Sequence, residues 1–350
     1  MGSRLMRILG WDIGGAHLKV ARFNAAGHIE GVQQAGCPLW LGLDRLETAM
    51  AQLRDVLPWG PEDRHVITMT GELTDYFAHR REGVEAILEH FKPSPSPFNC
   101  RVFAGERGFL DPAQLASDDW EWIASANWMA SAQWAARCLD EGIFIDVGST
   151  TSDFVVFSEG RPQPRGYTDH ERMIHDELVY SGIVRTPIMA LATRAPVLGT
   201  WTPPMAEYFA TTSDLYRITG ELREDTDQHP AADQGPKTLD ASKRRLGRQF
   251  GVDADALPEG AMEQVAHFLR AQHLGRLRDA LSLQVSRGLV SRNAPLVGAG
   301  IGRFLIQELA EACQRPFLDF KDLFEWEPGH STFDAADCGP AAAVAALSFS

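Results

Sequence analysis

The sequence predicts an α/β protein of two duplicated domains facing each other across a cleft, and three observations predict it. An apolar run, Ile8-Leu9-Gly10-Trp11, reaches Asp12, turns on Gly14 and Gly15, passes His17 and leaves through Lys19 and Val20. The pattern returns as Ile143-Phe144-Ile145-Asp146-Val147-Gly148-Ser149-Thr150-Thr151-Ser152-Asp153-Phe154-Val155. The copies stay aligned beyond the turn: seven residues after each aspartate stands a charged residue, Lys19 and Asp153, and eleven after each a phenylalanine, Phe23 and Phe157. The third observation is a late strand that runs into a glycine turn, Leu296-Val297-Gly298-Ala299-Gly300-Ile301-Gly302. Each of the first two stretches reads as a β-hairpin whose tip exposes backbone amides. One such turn alone is a plain hairpin; two matched copies, one per half, read as a pair of phosphate-binding devices.

The rest of the chain fills in these two halves. Residues 29–36 read as a third strand after the first hairpin, and the spacing of Leu43, Leu46, Met50, Leu53 and Leu57 predicts a helix that Pro58 stops. Residues 64–69 form a buried strand ending in Thr70-Gly71-Glu72, followed by a helix from about Leu73 to Phe91. Pro93, Pro95 and Pro97 make a stiff connector into a short strand, 101–104. Residues 120–139 read as one helix with Ala124, Asn127, Ser131 and Ala135 on one face; its tryptophans lack interleaved basic residues and belong to the core or an interface. Asn127 has two readings, a bond to a ligand or a cap on neighbouring backbone.

The predicted division is 1–140 and 141–350, the second half carrying a specificity insertion at about 166–237 and the glycine turn at 298–302. The insertion holds His170, Glu171, Arg172, His175, Glu177, Tyr180 and Arg185. Residues 223–237 read as an exposed loop, and 239–250 and 262–287 as helices. The run Lys243-Arg244-Arg245 reads as a solvated helix face. Residues 334–347 predict an alanine-rich helix with Pro340 in its first turn, and His330 before it reads as structural.

Composition narrows the function. The 350 residues suffice for two cores, and 44% hydrophobic with 23% charged residues is ordinary for a globular protein. A net charge of -14 argues against nucleic-acid binding, so an anionic substrate must be held by backbone amides, a divalent cation or a few placed cations. The five cysteines are odd in number and form no C-x-x-C pair, so no disulfide framework or zinc site is indicated. Asp12 and the glycines interrupt any signal-peptide core and no apolar run reaches about 18 residues, so a cytoplasmic protein without a membrane span is expected.

The chemistry follows from the hairpins. Glycines let several N–H groups converge on phosphate oxygens, and Ser149, Thr150 and Thr151 add hydroxyl donors. Asp12 and Asp146, one per hairpin, suit Mg²⁺, which keeps several waters while bridging phosphates. Lys19 adds a point charge if it faces the site, although its position on the returning strand also allows it to point away. Gly298, Gly300 and Gly302 extend the phosphate site.

These three elements resemble the two phosphate loops and the adenosine loop of the actin-like ATPase superfamily, which includes sugar kinases and actin. The resemblance implies two ribonuclease-H-like domains with ligand and Mg²⁺ in the cleft between them. Met69-Thr70-Gly71-Glu72-Leu73, Asn127-Trp128, Asp146 to Asp153 and Glu177-Leu178-Val179-Tyr180-Ser181-Gly182 resemble its hydantoinase/oxoprolinase branch. Within that branch they resemble the family linked to tetrahydromethanopterin-dependent one-carbon metabolism, whose archaeal members form methanofuran. The resemblance implies an alkyltransferase that joins an aminomethylfuran methyl diphosphate to the phenol of a tyramine or tyrosine derivative and releases pyrophosphate, the bacterial counterparts making methylofuran. It further implies a carboxylate base, with Asp146, Glu72 and Glu177 as candidates, and Arg185 either on a substrate carboxylate or in a structural ion pair. The stretch Asp225 to Gly235 departs from the Asp-Thr-Ala-Asp-Gly-like sequence expected there. The hairpins alone favour a Mg-ATP-dependent kinase or ATPase, and only the narrower resemblance overrides that reading; a non-catalytic actin-like scaffold is the third reading, against which the intact Asp12 and Asp146 speak.

Overall fold

A computed structural model describes residues 6–91, 99–329 and 331–349. Met1 to Ser3, the connector prolines Pro93, Pro95 and Pro97, and His330 lie outside the described residues. The first sheet is built from β1 (Ile8–Ile13), β2 (His17–Phe23), β3 (Ile29–Gly36), β4 (Arg64–Met69), β5 (Asn99–Phe103) and β6 (Phe109–Leu110), in the order β3-β2-β1-β4-β5-β6. Next come β7 (Gly142–Val147), β8 (Ser152–Ser158), β9 (Arg161–Pro162) and β10 (Leu178–Val179), then the small hairpin of β11 (Ala195–Val197) and β12 (Thr200–Thr202), and finally β13 (Leu296–Ala299) and β14 (Phe317–Asp319). The second sheet has the order β10-β8-β7-β13-β14, with β9 also on β8. In both sheets a hairpin fills the second and third positions and the strands that follow extend it on the far side. That repeated order is the duplicated ribonuclease-H-like plan of the actin-like ATPases.

The helices are α1 (Asp44–Val56), α2 (Arg80–Glu89), α3 (Trp120–Ile123), α4 (Asn127–Cys138), α5 (Asp169–Ile174), α6 (Thr212–Thr219), α7 (Leu239–Gln249), α8 (Ala261–Ser286), α9 (Arg303–Ala312) and α10 (Gly339–Leu347). The chain divides into two compact units. The first is Met1–Phe144, Val155–Gln163 and Leu318–Ser350; the second is Ile145–Phe154 and Pro164–Phe317. Among the described residues no helix is long and apolar enough to cross a membrane.

In the first unit the alternation of β1 assigns its two faces. Leu9, Trp11 and Ile13 join the core with Leu46, Leu53, Val84 and Ile87 of α1 and α2. Trp11 meets Trp59 edge-on at 5.1 Å and donates its indole N–H to Nδ1 of His65 at 2.9 Å. Burial pushes the His65 ring down to about 4, so it stays neutral. Gly10 faces the other way: a Cβ there would lie 1.9 Å from the Ala341 carbonyl oxygen, so α10 packs against bare backbone. The alanine-rich composition of α10 follows from that close approach.

Four predicted elements are corrected. The helix expected from Leu73 begins at Arg80, because residues 71–73 form a 3₁₀ turn and His79 caps α2 by accepting the Glu82 N–H. The helix expected over 120–139 breaks into α3 and α4 at Ser125, which adopts φ 53° and donates its hydroxyl to Glu72 at 2.9 Å. The last helix begins at Gly339 rather than 334, since the Asp334 side chain accepts the N–H groups of Ala336 and Asp337 in a turn of its own. Arg245 is not on a solvated face: it is 1% exposed and its guanidinium meets Asp214 at 2.8 Å and Asp233 at 3.1 Å.

Candidate functional site

The two hairpin tips close with one and the same bond. The Gly14 N–H donates to the His17 carbonyl at 2.9 Å, and the Gly148 N–H donates to the Thr151 carbonyl at 2.9 Å. Each aspartate precedes its glycine by two residues, on the last turn of strand before the tip. The four-residue turn leaves the intervening positions 15–16 and 149–150 at the apex.

In the first unit the register fixes what surrounds Asp12. Asp12 pairs with Lys19 across β1 and β2, and with Thr68 across β1 and β4. Directly opposed residues share a face, so Lys19, Asp12 and Thr68 form a row across three strands. This settles the direction of Lys19: it stands beside Asp12. The row lies on the α10 face, because Gly10 and Asp12 are two residues apart. Asp12 is 4% exposed, and the Asn127 side-chain amide approaches it at 3.4 Å. Its carbonyl oxygen also accepts the Trp128 N–H at 2.8 Å, so the side chain bridges Asp12 and neighbouring backbone. The Thr70 N–H donates to the Ile13 carbonyl at 3.0 Å and seats the Gly71 turn under the hairpin. Glu72, in that turn, is 1% exposed and held by Ser125.

Cys338, which sequence reasoning left unassigned, lies in the same neighbourhood. Burial pushes its thiol up, Lys19 pulls it down, and Asp337, Asp12 and Asp334 push it further up. The acidic turn ahead of α10 therefore adds charge near Asp12. The signal in the sequence was the pair Asp334 and Asp337 immediately before a capped helix.

In the second unit the glycine turn packs against the second hairpin. Gly300 has φ 81°, and a Cβ there would lie 2.3 Å from both Asp146 Oδ1 and the Val147 carbonyl. A Cβ on Gly302 would meet Val147 and Ile183, and one on Gly298 the Phe317 ring. The Gly302 N–H donates to the Val147 carbonyl at 2.9 Å. Ser149, Thr150 and Thr151 form the tip, clasped by residues 182–185. Gly182 leaves no room for a Cβ against Ser149 and Thr150, and the N–H groups of Val184 and Arg185 donate to the Ser149 carbonyl at 3.0 and 2.9 Å. The Arg185 cation lies near Tyr208, whose phenol burial pushes up and Arg185 pulls down.

Glu177 lies behind this clasp. Its carboxylate is 1% exposed and accepts from the Arg165 and Gly166 N–H groups at 2.7 and 3.2 Å and from Arg287 at 3.2 Å. The interrupted stretch 225–235 is ordered by ion pairs: Asp227 meets Arg217 at 2.7 Å and Lys237 at 3.2 Å.

Among the described residues no three His, Cys, Asp or Glu side chains converge as a metal cage. Magnesium needs none, since it takes one or two carboxylates and keeps its waters. The hard oxygen donors of Asp12 and Asp146, each at the strand end of a hairpin, fit it chemically.

The chain is similar to several known proteins. A synthase from Methanocaldococcus jannaschii, named (4-{4-[2-(gamma-L-glutamylamino)ethyl]phenoxymethyl}furan-2-yl)methanamine synthase, is 28% identical over 274 residues, covering 78% of this chain and 80% of that one. The synthase of the same name from Methanococcus vannielii is 31% identical over 118 residues, 32% of this chain and 53% of that one. In structure, a nucleotide-free acetone carboxylase shares the fold with a TM-score of 0.56 at 12% identity, covering 98% of this chain and 70% of that one. The family model for hydantoinase/oxoprolinase matches residues 63–316, most of the sequence, and the chain belongs to that family.

Proposed function

We propose that the protein is an alkyltransferase of methanofuran or methylofuran biosynthesis, joining an aminomethylfuran methyl diphosphate to the phenol of a tyramine or tyrosine derivative and releasing pyrophosphate. The observation that carries the reading is the identical closure of the two hairpins, each with a carboxylate at its strand end, in a chain related over most of its length to that archaeal synthase. The relative's name describes a phenoxymethyl-furan ether. Forming that ether from a phenol requires a leaving group on the furan-methyl carbon, and amide-bearing tips suit a phosphate leaving group.

The bond from the furan-methyl carbon to the diphosphate oxygen breaks, and its electron pair leaves with the diphosphate. The phenol oxygen forms the new bond to that carbon. Electron release from the furan makes the carbon cation-like, so the attacking phenol, with a free pKa of about 10, needs only a modest base. Asp146 is the carboxylate at a tip and takes that proton. Glu72 and Glu177, both buried on fixed partners, position the turns beside the tips. Lys19 and the apex N–H groups at 15–16 and 149–150 meet charge that grows on the leaving group, where fixed donors contribute most to rate. Bound Mg²⁺ would be held by Asp12 and Asp146 and would neutralise diphosphate charge.

The matched hairpins favour one second reading, a Mg-ATP-dependent small-molecule kinase or ATPase, because two such tips suit a nucleotide tail as well. Incubation with Mg²⁺, the furan diphosphate and tyramine, tyrosine or γ-glutamyltyramine separates the two. The first reading predicts ether and pyrophosphate; phosphate release from ATP without ether establishes the second.

A further inference from the structure

The polar row on the α10 face of the first sheet runs over four strands. Gln34 opposes Lys19 across β2 and β3, Lys19 opposes Asp12, and Asp12 is level with Thr68 on β4. Thr68 is 0% exposed, and among the described residues its hydroxyl has no hydrogen-bond partner. Ser131 and Ser181 also carry buried hydroxyls without a partner, but among the described residues only Thr68 stands in register with a site aspartate.

Packing does not account for this hydroxyl. Valine has the same branched shape and the same preference for strands, and it buries no polar atom. A buried hydroxyl without a partner costs free energy that a methyl group does not. Such a group calls for a partner from outside the folded chain, a water or an ion. The side chain beside Thr68 is a carboxylate that suits Mg²⁺, and Mg²⁺ keeps several waters, each a strong hydrogen-bond donor. Lys19 flanks Asp12 on one side and Thr68 flanks it on the other. Like charges repel, so the hydration shell of an ion at Asp12 belongs on the Thr68 side.

We infer that Thr68 is a positioning residue for the metal: its hydroxyl accepts a hydrogen bond from a water of Mg²⁺ held at Asp12 and fixes the ion away from Lys19. The inference rests on the placement of Mg²⁺ at Asp12. The alkyltransferase and ATP-dependent readings share that placement, so the role of Thr68 does not depend on which of the two reactions takes place.

The test is a Mg²⁺ titration of the full chain at a fixed concentration of inorganic pyrophosphate, followed by the thermal midpoint, with a parallel urea melt in EDTA. Thr68→Val is expected to weaken Mg²⁺ binding about ten- to hundredfold, the scale on which residues behind a metal ligand act. The same variant is expected to raise the urea midpoint of the metal-free chain, because it removes an unpartnered buried hydroxyl. Thr68→Ser keeps the hydroxyl and is expected to retain most of the Mg²⁺ affinity. Unchanged Mg²⁺ affinity in Thr68→Val, a urea midpoint below that of wild type, or an equal loss of affinity in Thr68→Ser overturns the inference. Asp12→Asn separates the two levels. If it loses Mg²⁺ affinity while Thr68→Val keeps it, the role of Thr68 fails and the metal at Asp12 stands; if it keeps wild-type affinity, the metal does not sit at Asp12 and the role of Thr68 falls with it.

Discussion

Lys19 stands directly opposite Asp12 in the antiparallel register of β1 and β2, on the face of the sheet that α10 covers. A cation and a carboxylate thus meet at the strand end that leads into the first glycine tip. In a chain of net charge -14 this cation is supplied locally, by register rather than by overall charge.

Lys19→Met is expected to lower kcat/KM for the furan diphosphate by about 10²-fold, the scale on which a single charge-stabilising donor acts. Lys19→Arg keeps the charge and is expected to restore part of the loss. Steady-state kinetics on the two variants checks this; equal losses in both would assign Lys19 to packing.

Asp12→Asn and Asp146→Asn are each expected to reduce turnover by at least about 10²-fold. In both, the Mg²⁺ concentration needed for half-maximal residual activity rises. The measurement is a magnesium titration of each variant, and wild-type magnesium dependence in both would remove the two aspartates from the metal.

Gly300→Ala places a methyl 2.3 Å from Asp146 Oδ1 at a backbone φ of 81°. It is expected to cost about 1–3 kcal/mol of stability from strain alone and to displace the Asp146 carboxylate. Gly275→Ala is the contrast: it lies within α8 with nothing near its Cβ, and is expected to stabilise by up to about 1 kcal/mol. Urea unfolding of the two variants tests both signs.

Acid is expected to destabilise the fold through its buried histidines. The folded chain holds His65 neutral down to about 4, because burial disfavours the imidazolium and Arg54 adds to that, whereas the unfolded chain protonates it near 6.5. Stability is therefore unaffected above pH 6.5 and falls as pH drops from 6.5 toward 4, by up to about 1.4 kcal/mol per pH unit. His273, pushed down to about 3 by burial and by Arg276 and Arg270, acts in the same direction. Denaturant melts between pH 4 and 7 measure the slope, and His65→Asn, which keeps an acceptor for Trp11 without the titration, is expected to flatten it.

Much of this architecture is legible in the sequence, because local signals coincide with tertiary ones. The duplicated hairpins, the third strand and the glycine turn before α9 each carry their own turn chemistry, so their positions follow from residues close in the chain. The break at Ser125 does not, since its left-handed backbone is stabilised by a bond to Glu72, far away in sequence. Arg245 fails for the same reason: a basic run looks solvated until Asp214 folds against it. The hairpin motif placed Lys19 on the returning strand but left its face open, and only the register with Asp12 decides it.

The central claim is tested most directly by the stoichiometry of products from Mg²⁺, the furan-methyl diphosphate and γ-glutamyltyramine, with the aryl ether and pyrophosphate quantified together by mass spectrometry and a coupled assay. The account predicts the two in equal amounts and no dependence on ATP. Pyrophosphate or phosphate released from ATP with no ether formed would contradict it.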